Sequence, residues 1–250
     1  MSKLFATAAR RLRCTPLHPQ WLLGYERRVF ADAVHDARGT VLDVGCGDRW
    51  VESILPEDCW YVGLDSLSTG RSMYRSSPSV FGDAGKLPIA DDSVDTVVMF
   101  EVLEHLPAPG AALREIHRCL SPEGKVVLSV PFLYPIHDAP IDFQRYTEHG
   151  LRRALERENL SVESISARLS SVRTAAMLGC LAIAGSARRS MERPGPALLL
   201  LPIWGVMVLL LNVGALLLDG LVPDWSAMTN GYVVIARKVS RPAALTPGAT

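Results

Sequence analysis

The chain has 250 residues, 48 % of them apolar, which suits one large domain or a domain with an insert and is enough to fill a core. Lysine plus arginine equals aspartate plus glutamate at 26 each, so no global field draws the chain to nucleic acid. Five cysteines, odd in number and without a close pair (Cys14, Cys46, Cys59, Cys119, Cys180), exclude a disulfide framework and a zinc site and fit reduced thiols in a cytosol.

Residues 1–19 form a basic segment, with Lys3, Arg10, Arg11 and Arg13 and no acid. It lacks an apolar run long enough for a secretory signal. Leu4, Phe5, Ala8 and Leu12 fall near one face of a short helix suited to an anionic membrane surface; the alternative is a solvated terminus. Trp21 to Val34 has helical spacing. Val41, Leu42 and Val44 then make a buried strand, ended by Gly45-Cys-Gly47. Glycine there permits a sharp turn and a close approach of ligand to backbone. A short helix through Val51, Ile54 and Leu55 stops at Pro56, and Trp60-Tyr-Val-Gly-Leu-Asp65 is a second strand ending in a carboxylate. Asp65 stands 22 residues after Asp43, the spacing at which an acid meets ribose hydroxyls.

Residues 66–78 read as loop, and residues 79–82 as a third strand ending at Asp83. Val94 to Phe100 is a fourth strand, and Pro107 and Pro109 open a helix that runs to Leu120. Residues 121–124 read as a turn before a fifth strand, Lys125 to Val130. A Pro-interrupted loop covers 131–146. Thr147 caps the next helix, and Leu160 to Arg168 alternates as a sixth strand. Strands alternating with helices imply a doubly wound, mostly parallel sheet.

Val41-Leu-Asp-Val-Gly-Cys-Gly47 resembles the first motif of class I S-adenosylmethionine-dependent methyltransferases, and Asp65 resembles their second-strand acid. Phe81-Gly-Asp-Ala84 resembles the segment that meets adenine, and Phe100-Glu-Val-Leu-Glu-His-Leu106 the stretch after the fourth strand. Phe132 to Thr147 resembles a run in the methyltransferase type 11 group of bacteria, often tied to cell-surface glycan synthesis. The resemblance covers roughly residues 20–165 and a last strand near 231–238. It implies α/β architecture with seven strands, a Rossmann-like methyltransferase fold, and S-adenosyl-L-methionine as cofactor. Many family members carry a third glycine where this chain has Arg49 followed by Trp50. That pair obstructs a dinucleotide pyrophosphate more than a cofactor with no phosphate.

The resemblance assigns cofactor binding to Asp43, Gly45, Cys46, Gly47, Asp65, Asp83, Ala84, Phe100 and Glu101. Glu101 can equally cap the turn that follows it. His105 shares a face with Glu101 if that stretch is helical. His137 is the first choice of general base and His105 the second, because neutral imidazole takes a hydroxyl proton near neutrality. Tyr134, Asp142, Arg145 and Tyr146 are candidate acceptor-binding residues, with an Asp142–Arg145 pair that pins the loop as the alternative. No spacing demands a metal.

After residue 170 the pattern changes. Residues 174–187 are mildly apolar, Arg188 to Arg193 make a charged break, and Ala197 to Leu218 carry no charge. As a helix the last stretch would be ~33 Å long, enough for a bilayer core. Gly231 to Arg237 then reads as the final strand. If that strand pairs with the sixth, both ends of the insert lie on one side of a membrane. The expectation is a hairpin or tilted helix that dips into one leaflet, with Pro202, Gly205 and Asn212 permitting a kink. The alternative is a buried helix or a dimer interface. The expected layout is therefore 1–19 basic segment, 20–170 methyltransferase core, 171–222 apolar helical insert in contact with the membrane surface through 172–222, 223–240 last strand, and 241–250 disordered tail. The expected function is methyl transfer to a small or lipid-linked acceptor, a glycan intermediate or isoprenoid-type lipid, with a hydroxyl favoured. The expected location is cytoplasmic, at the inner face of the cell membrane. A non-catalytic scaffold with the same fold and a nicotinamide-dependent oxidoreductase are the competing readings. The sequence leaves the oligomeric state open.

Overall fold

The computed structural model describes residues 12–67, 77–193 and 195–239. Lys3, Arg10 and Arg11 of the basic segment, most of the 66–78 loop, Pro194 and the 241–250 tail lie outside the described residues. The chain forms two compact units. One comprises Met1–Phe30, Phe132–His137 and Ala167–Gly231; the other comprises Ala31–Pro131, Asp138–Ser166 and Tyr232–Thr250.

The second unit is built on a seven-stranded sheet of order β3-β2-β1-β4-β5-β7-β6. Its strands are β1 (Thr40–Val44), β2 (Trp60–Asp65), β3 (Val80–Phe81), β4 (Val94–Phe100), β5 (Leu120–Pro131), β6 (Leu160–Ala167) and β7 (Gly231–Lys238). β1 pairs in parallel with both β2 and β4, and β5 runs parallel to β4. Asn159 accepts from the Val239 amide and the Gly231 carbonyl from that of Arg168, so β6 and β7 run antiparallel. Val41, Leu42, Val97, Val98, Val126 and Val127 are fully buried, as expected of central parallel strands covered on both faces. The order reverses between β1 and β4. That places the ends of β1, β2 and β4 side by side at the topological switch point, where ligands bind in such sheets.

Helix α1 (Glu26–Val34) follows a 3-10 turn at Trp21–Tyr25, so the expected helix over 21–34 begins in a tighter form. The helix expected after the glycine loop is a single 3-10 turn, Trp50–Ile54. Helix α2 (Pro109–Cys119) starts with proline in its first turn and buries Ala112, Leu113, Ile116 and Cys119. The turn expected at 121–124 is absorbed into β5. Leu120 pairs with Val94 and Lys125 with Thr96, so the extra residues bulge out of the ladder, with Glu123 in a left-handed conformation. In α3 (Glu148–Arg157) the Thr147 hydroxyl accepts from the Gly150 amide, the expected cap.

The first unit holds two long helices, α4 (Ser171–Glu192) and α5 (Leu201–Asp219), packed as a hairpin. α4 does not stop at the charged break. Arg188 and Glu192 pair at 3.0 Å one turn apart, and the helix runs through them for 22 residues. Pro202 sits in the first turn of α5, where its missing N–H costs nothing, so it does not kink the helix. Asn212 is fully buried and donates to the Pro16 and His18 carbonyls at 2.7 and 3.1 Å. At the base of the hairpin Asp219 meets the Ser170 hydroxyl and the Arg173 guanidinium. Leu22, Leu169, Ala176, Met177 and Ala215 form the core there.

A buried polar knot joins α1 to the segments that flank the hairpin. The Glu26 carboxylate accepts from Arg168 and from the Asn230 amide, and Arg168 lies 5.1 Å over the Phe30 ring. Removing one partner of such a pair strands the other charge away from water. Glu26→Ala should therefore lower unfolding free energy by about 3–5 kcal/mol, and the double change Glu26→Ala with Arg168→Met should recover much of it. Denaturant titration followed by circular dichroism checks both. A double variant no more stable than Glu26→Ala alone would mean that the charge is not what is lost.

Candidate functional site

The glycine loop is locked onto β2. Gly45 and Cys46 both donate their amides to the Leu64 carbonyl, at 2.8 and 3.0 Å, and Gly47 donates to Asp65 Oδ2 at 2.9 Å. Gly45 and Gly47 have φ of +77° and +49°, the left-handed region that favours glycine. A Cβ at Gly45 would lie 2.3 Å from a Val102 methyl, so the loop also packs against the segment after β4. Asp65, 3 % exposed, takes a second amide from Ser66 at 2.7 Å on its other oxygen. Each carboxylate oxygen has two acceptor positions, which leaves Asp65 two for a neighbouring diol.

Asp43 is buried beside it. The Tyr61 hydroxyl donates to Asp43 Oδ2 at 2.7 Å. Burial pushes the Asp43 carboxyl up to about 7; the Tyr61 hydrogen bond opposes this and the charge of Asp65 adds to it. Burial, with Asp43 and Asp65 adding, pushes the Cys46 thiol up to about 12. Cys46 is thus a protonated, small lining residue, in keeping with its place between two glycines. Tyr61, Gly63 and Asp65 alternate onto one face of β2. A side chain at Gly63 would crowd the Tyr61 hydroxyl at 3.0 Å and Cys46 Sγ at 3.1 Å. Tyr61 was not singled out from the sequence, although this alternation was the available signal.

Arg49 occupies the third-glycine position with φ of 63°, so the left-handed backbone is kept without the glycine. Its guanidinium lies 5.0 Å over the Tyr61 ring, pairs with Glu52 at 3.1 Å and donates to the Ser77 carbonyl at 3.2 Å. Trp50 stacks on Phe100 at 5.7 Å. Asp83 is exposed and accepts from the Gly85 amide at 2.8 Å, closing its own turn, with Ala84 buried next to it.

After β4, Glu101 is left-handed at φ 55° and clamped to β5. The Ser129 hydroxyl donates to Glu101 Oε1 at 2.8 Å, and the Glu101 amide donates back to Ser129 at 3.1 Å. Its carboxylate therefore reaches a neighbouring strand. Only Leu103–His105 is helical, as one 3-10 turn, so the one-turn helical relation expected between Glu101 and His105 does not form. His105 Nδ1 is 2.9 Å from the Ile141 carbonyl, which assigns the proton to Nδ1. Its Nε2 is 3.7 Å from the buried Glu104 carboxylate. Phe143 and Gln144 stitch the following loop to this turn through the Glu104, Leu103 and Leu106 carbonyls. Asp142 receives both terminal nitrogens of Arg145 and is almost fully buried, so this pair is engaged with itself. Burial, with the Glu104 charge adding, raises the Tyr146 phenol above its usual range.

His137 and Tyr134 belong to the first unit. Their rings meet edge to face at 5.4 Å, and Gln20 donates to the Tyr134 hydroxyl at 2.6 Å. Gln20, Ser129 and Gln144 carried no motif that would mark them in the sequence.

The raised Asp43 carboxyl has a thermodynamic consequence. Between about pH 4, the ordinary carboxyl value, and about pH 7 the native state holds a proton that the unfolded chain has released. Stability therefore falls as pH rises through that window, and the contribution is fully present only below it. Asp43→Asn should melt several degrees above the parent at pH 8, with the gap closing toward pH 4. Thermal melts at both pH values check this; a gap that does not change with pH would remove Asp43 as its source.

A family described as a methyltransferase domain matches residues 22–165, more than half of the chain. A Mycolicibacterium smegmatis protein named "probable S-adenosylmethionine-dependent methyltransferase" is 31 % identical over 123 residues, covering 46 % of this chain and 48 % of its own length. A Mycobacterium tuberculosis protein of the same printed name is 31 % identical over 110 residues, covering 41 % and 40 %. The chain thus spans about half, or less, of the length of the curated relatives it matches. Among solved structures, an Archaeoglobus fulgidus methyltransferase dependent on the same cofactor superposes at TM-score 0.53 with 15 % identity, covering 88 % of this chain and 94 % of that one. The cyclase SpnF superposes equally, at 0.53 with 18 % identity and 85 % and 80 % coverage. At such identities the likeness carries the fold alone. With the family match spanning α1 through β6, the chain belongs to the S-adenosylmethionine-dependent methyltransferase family.

Proposed function

We propose that this protein transfers a methyl group from S-adenosylmethionine to a hydroxyl of a small or lipid-linked acceptor, a glycan intermediate or isoprenoid-type lipid, at the inner face of the cell membrane. The observation that carries the cofactor reading is the glycine loop. All three of its amides are spent inside the protein, and two buried carboxylates stand beside it. Such a loop offers a phosphate none of its own three amides and sets two carboxylates beside it, which argues against a nicotinamide dinucleotide. It suits a cationic nucleoside with a ribose diol and no phosphate.

When bound, the cofactor supplies an electrophilic methyl on a sulfonium, so the protein has to align donor and acceptor and remove a proton where the acceptor is a hydroxyl. Asp65 has the acceptor positions for the ribose hydroxyls. Asp43, Gly45, Cys46 and Gly47 line the methionine end, Asp83 and Ala84 the adenine, and Phe100 and Glu101 the floor. His137 or His105 takes the proton, and Tyr134 and Tyr146 hold the acceptor, with the Asp142–Arg145 pair pinning the loop that carries them. The apolar, largely exposed stretch Pro196–Asp219 supports a lipid-linked acceptor and a place at the membrane surface.

One observation favours a second reading, a scaffold that keeps the fold without turnover. Arg49 reaches across to Ser77, and Trp50 covers Phe100. Titration calorimetry with S-adenosylhomocysteine separates the two. Micromolar binding supports the enzyme; no binding by folded protein, restored in Trp50→Ala, supports a closed pocket. Asp65→Ala should weaken binding on the order of tenfold or more, the loss of hydrogen bonds to a charged group. His137→Ala should leave binding nearly unchanged and slow methyl incorporation. Equal loss of affinity in both would undo this division of roles.

A further inference from the structure

The two faces of α5 have the reverse of the polarity expected in water. Its buried face holds Val208, Asn212 and Ala215, so its one amide side chain points inward and is satisfied by carbonyls. The opposite face carries Ile203, Val206, Leu210, Val213 and Leu217, each between 37 % and 69 % exposed. Their spacing of three, four, three and four residues makes a single stripe about 21 Å long at 1.5 Å per residue. Leu200, Met207 and Leu218 widen it and are also exposed. No charged residue occurs from 195 to 218. Beyond the helix, Leu221 and Trp225 continue the apolar surface.

The partner helix differs. The last two turns of α4 carry Arg188 and Arg189, both exposed, with Arg193 just beyond and Glu192 as the only acid. The hairpin thus has one long apolar side and one basic end.

We propose that the α4–α5 hairpin lies flat on an anionic lipid leaflet, with the outward stripe of α5 among the acyl chains and Arg188, Arg189 and Arg193 at the level of the phosphates, and does not cross the bilayer. The inference rests on the membrane placement proposed above, but not on the cofactor reading. A crossing is disfavoured because Asp219 ties the two ends of the hairpin together, so α4 would have to cross as well and carry three arginines and a glutamate through hydrocarbon. A second copy of the chain is disfavoured because the flanks of the stripe are apolar. A helical seam between proteins carries charges at those positions, and a protein interface has a polar rim. An interfacial helix needs an apolar face with basic groups nearby, and both are present.

Flotation of the full-length protein with phosphatidylcholine vesicles, with and without phosphatidylglycerol, tests this. The parent should float with the anionic vesicles. Ile203→Lys with Leu210→Lys, both at exposed positions, should cut the bound fraction on the order of tenfold or more, since two charges would enter the acyl region. Replacing Arg188, Arg189 and Arg193 by glutamine should cut binding on the order of a hundredfold on anionic vesicles only, about fivefold for each of the three surface contacts that is lost. Arg193→Cys should react with an impermeant maleimide added outside the vesicles, read by peptide mass to separate it from Cys14. Three results would overturn the proposal: a parent that does not float, a lysine variant that floats like the parent, or a tip protected from the maleimide. A parent dimer that the lysine pair dissociates, without vesicle binding, would assign the stripe to a second copy. S-adenosylhomocysteine binding measured on every variant keeps the two readings apart: lost flotation with retained binding leaves the cofactor site standing, and the converse leaves the membrane face standing.

Discussion

The site in the second unit depends on one clamp, the capture of the glycine loop by the end of β2. Leu64 supplies a single carbonyl that holds two consecutive amides, and Asp65 holds the third. This geometry is available only because Gly45 and Gly47 turn into the left-handed region, where another side chain would be strained. It is also available only because nothing projects from Gly45 into Val102. The clamp ties the ends of β1 and β2 to the first residues after β4. The sheet supplies the adjacency and the loop supplies the register. Arg49 inherits its left-handed backbone from the same turn, which places its guanidinium over Tyr61 and Trp50 against Phe100.

The clamp concentrates negative charge. Asp43 and Asp65 are both buried, and the loop contributes no unspent amide to offset them. Burial makes ionising both unfavourable, and one tyrosine hydrogen bond does not cancel it, so Asp43 titrates near neutrality. A packed soluble domain has no structural need for such a pair, since burying a second carboxylate weakens the native state. Strained electrostatics of this kind belong to binding sites, where an incoming cation relieves what folding alone leaves uncompensated. This is why the charge pattern, beyond the resemblance of the motif, supports a sulfonium nucleoside over a dinucleotide.

Elements set by side-chain period were legible in the sequence: β1, β2 and β4 as apolar runs, α2 by its proline start, α3 by its threonine cap. What failed was local chemistry overruled by neighbours. Ser121-Pro-Glu-Gly124 has the composition of a turn, but the ladder to β4 holds it as a bulge. Arg188 to Glu192 look like a break, yet an ion pair one turn apart keeps them helical. At the site the backbone-determining glycines and the terminal acid could be read directly. The partners of those groups could not, because Tyr61 on Asp43 and Ser129 on Glu101 are contacts between strands. The expected one-turn relation of His105 to Glu101 failed for a related reason: Glu101 adopts positive φ to reach Ser129, which prevents a helix from starting there.

Composition alone leaves α5 ambiguous, because a run of leucines and valines looks alike from every side. The fold resolves it by what it covers. Asn212 would be an ordinary surface residue if the helix faced water outward; its amide is instead drawn inside to close the carbonyls of Pro16 and His18. The branched apolar side chains are left on the outside. A helix buried in a soluble core would have its outward leucines covered, and a solvated amphipathic helix would place its amide outward. Neither describes a helix whose only amide side chain is its most buried one. The arrangement fits the placement proposed above, because a leaflet surface is apolar on one side of the hairpin and polar on the other.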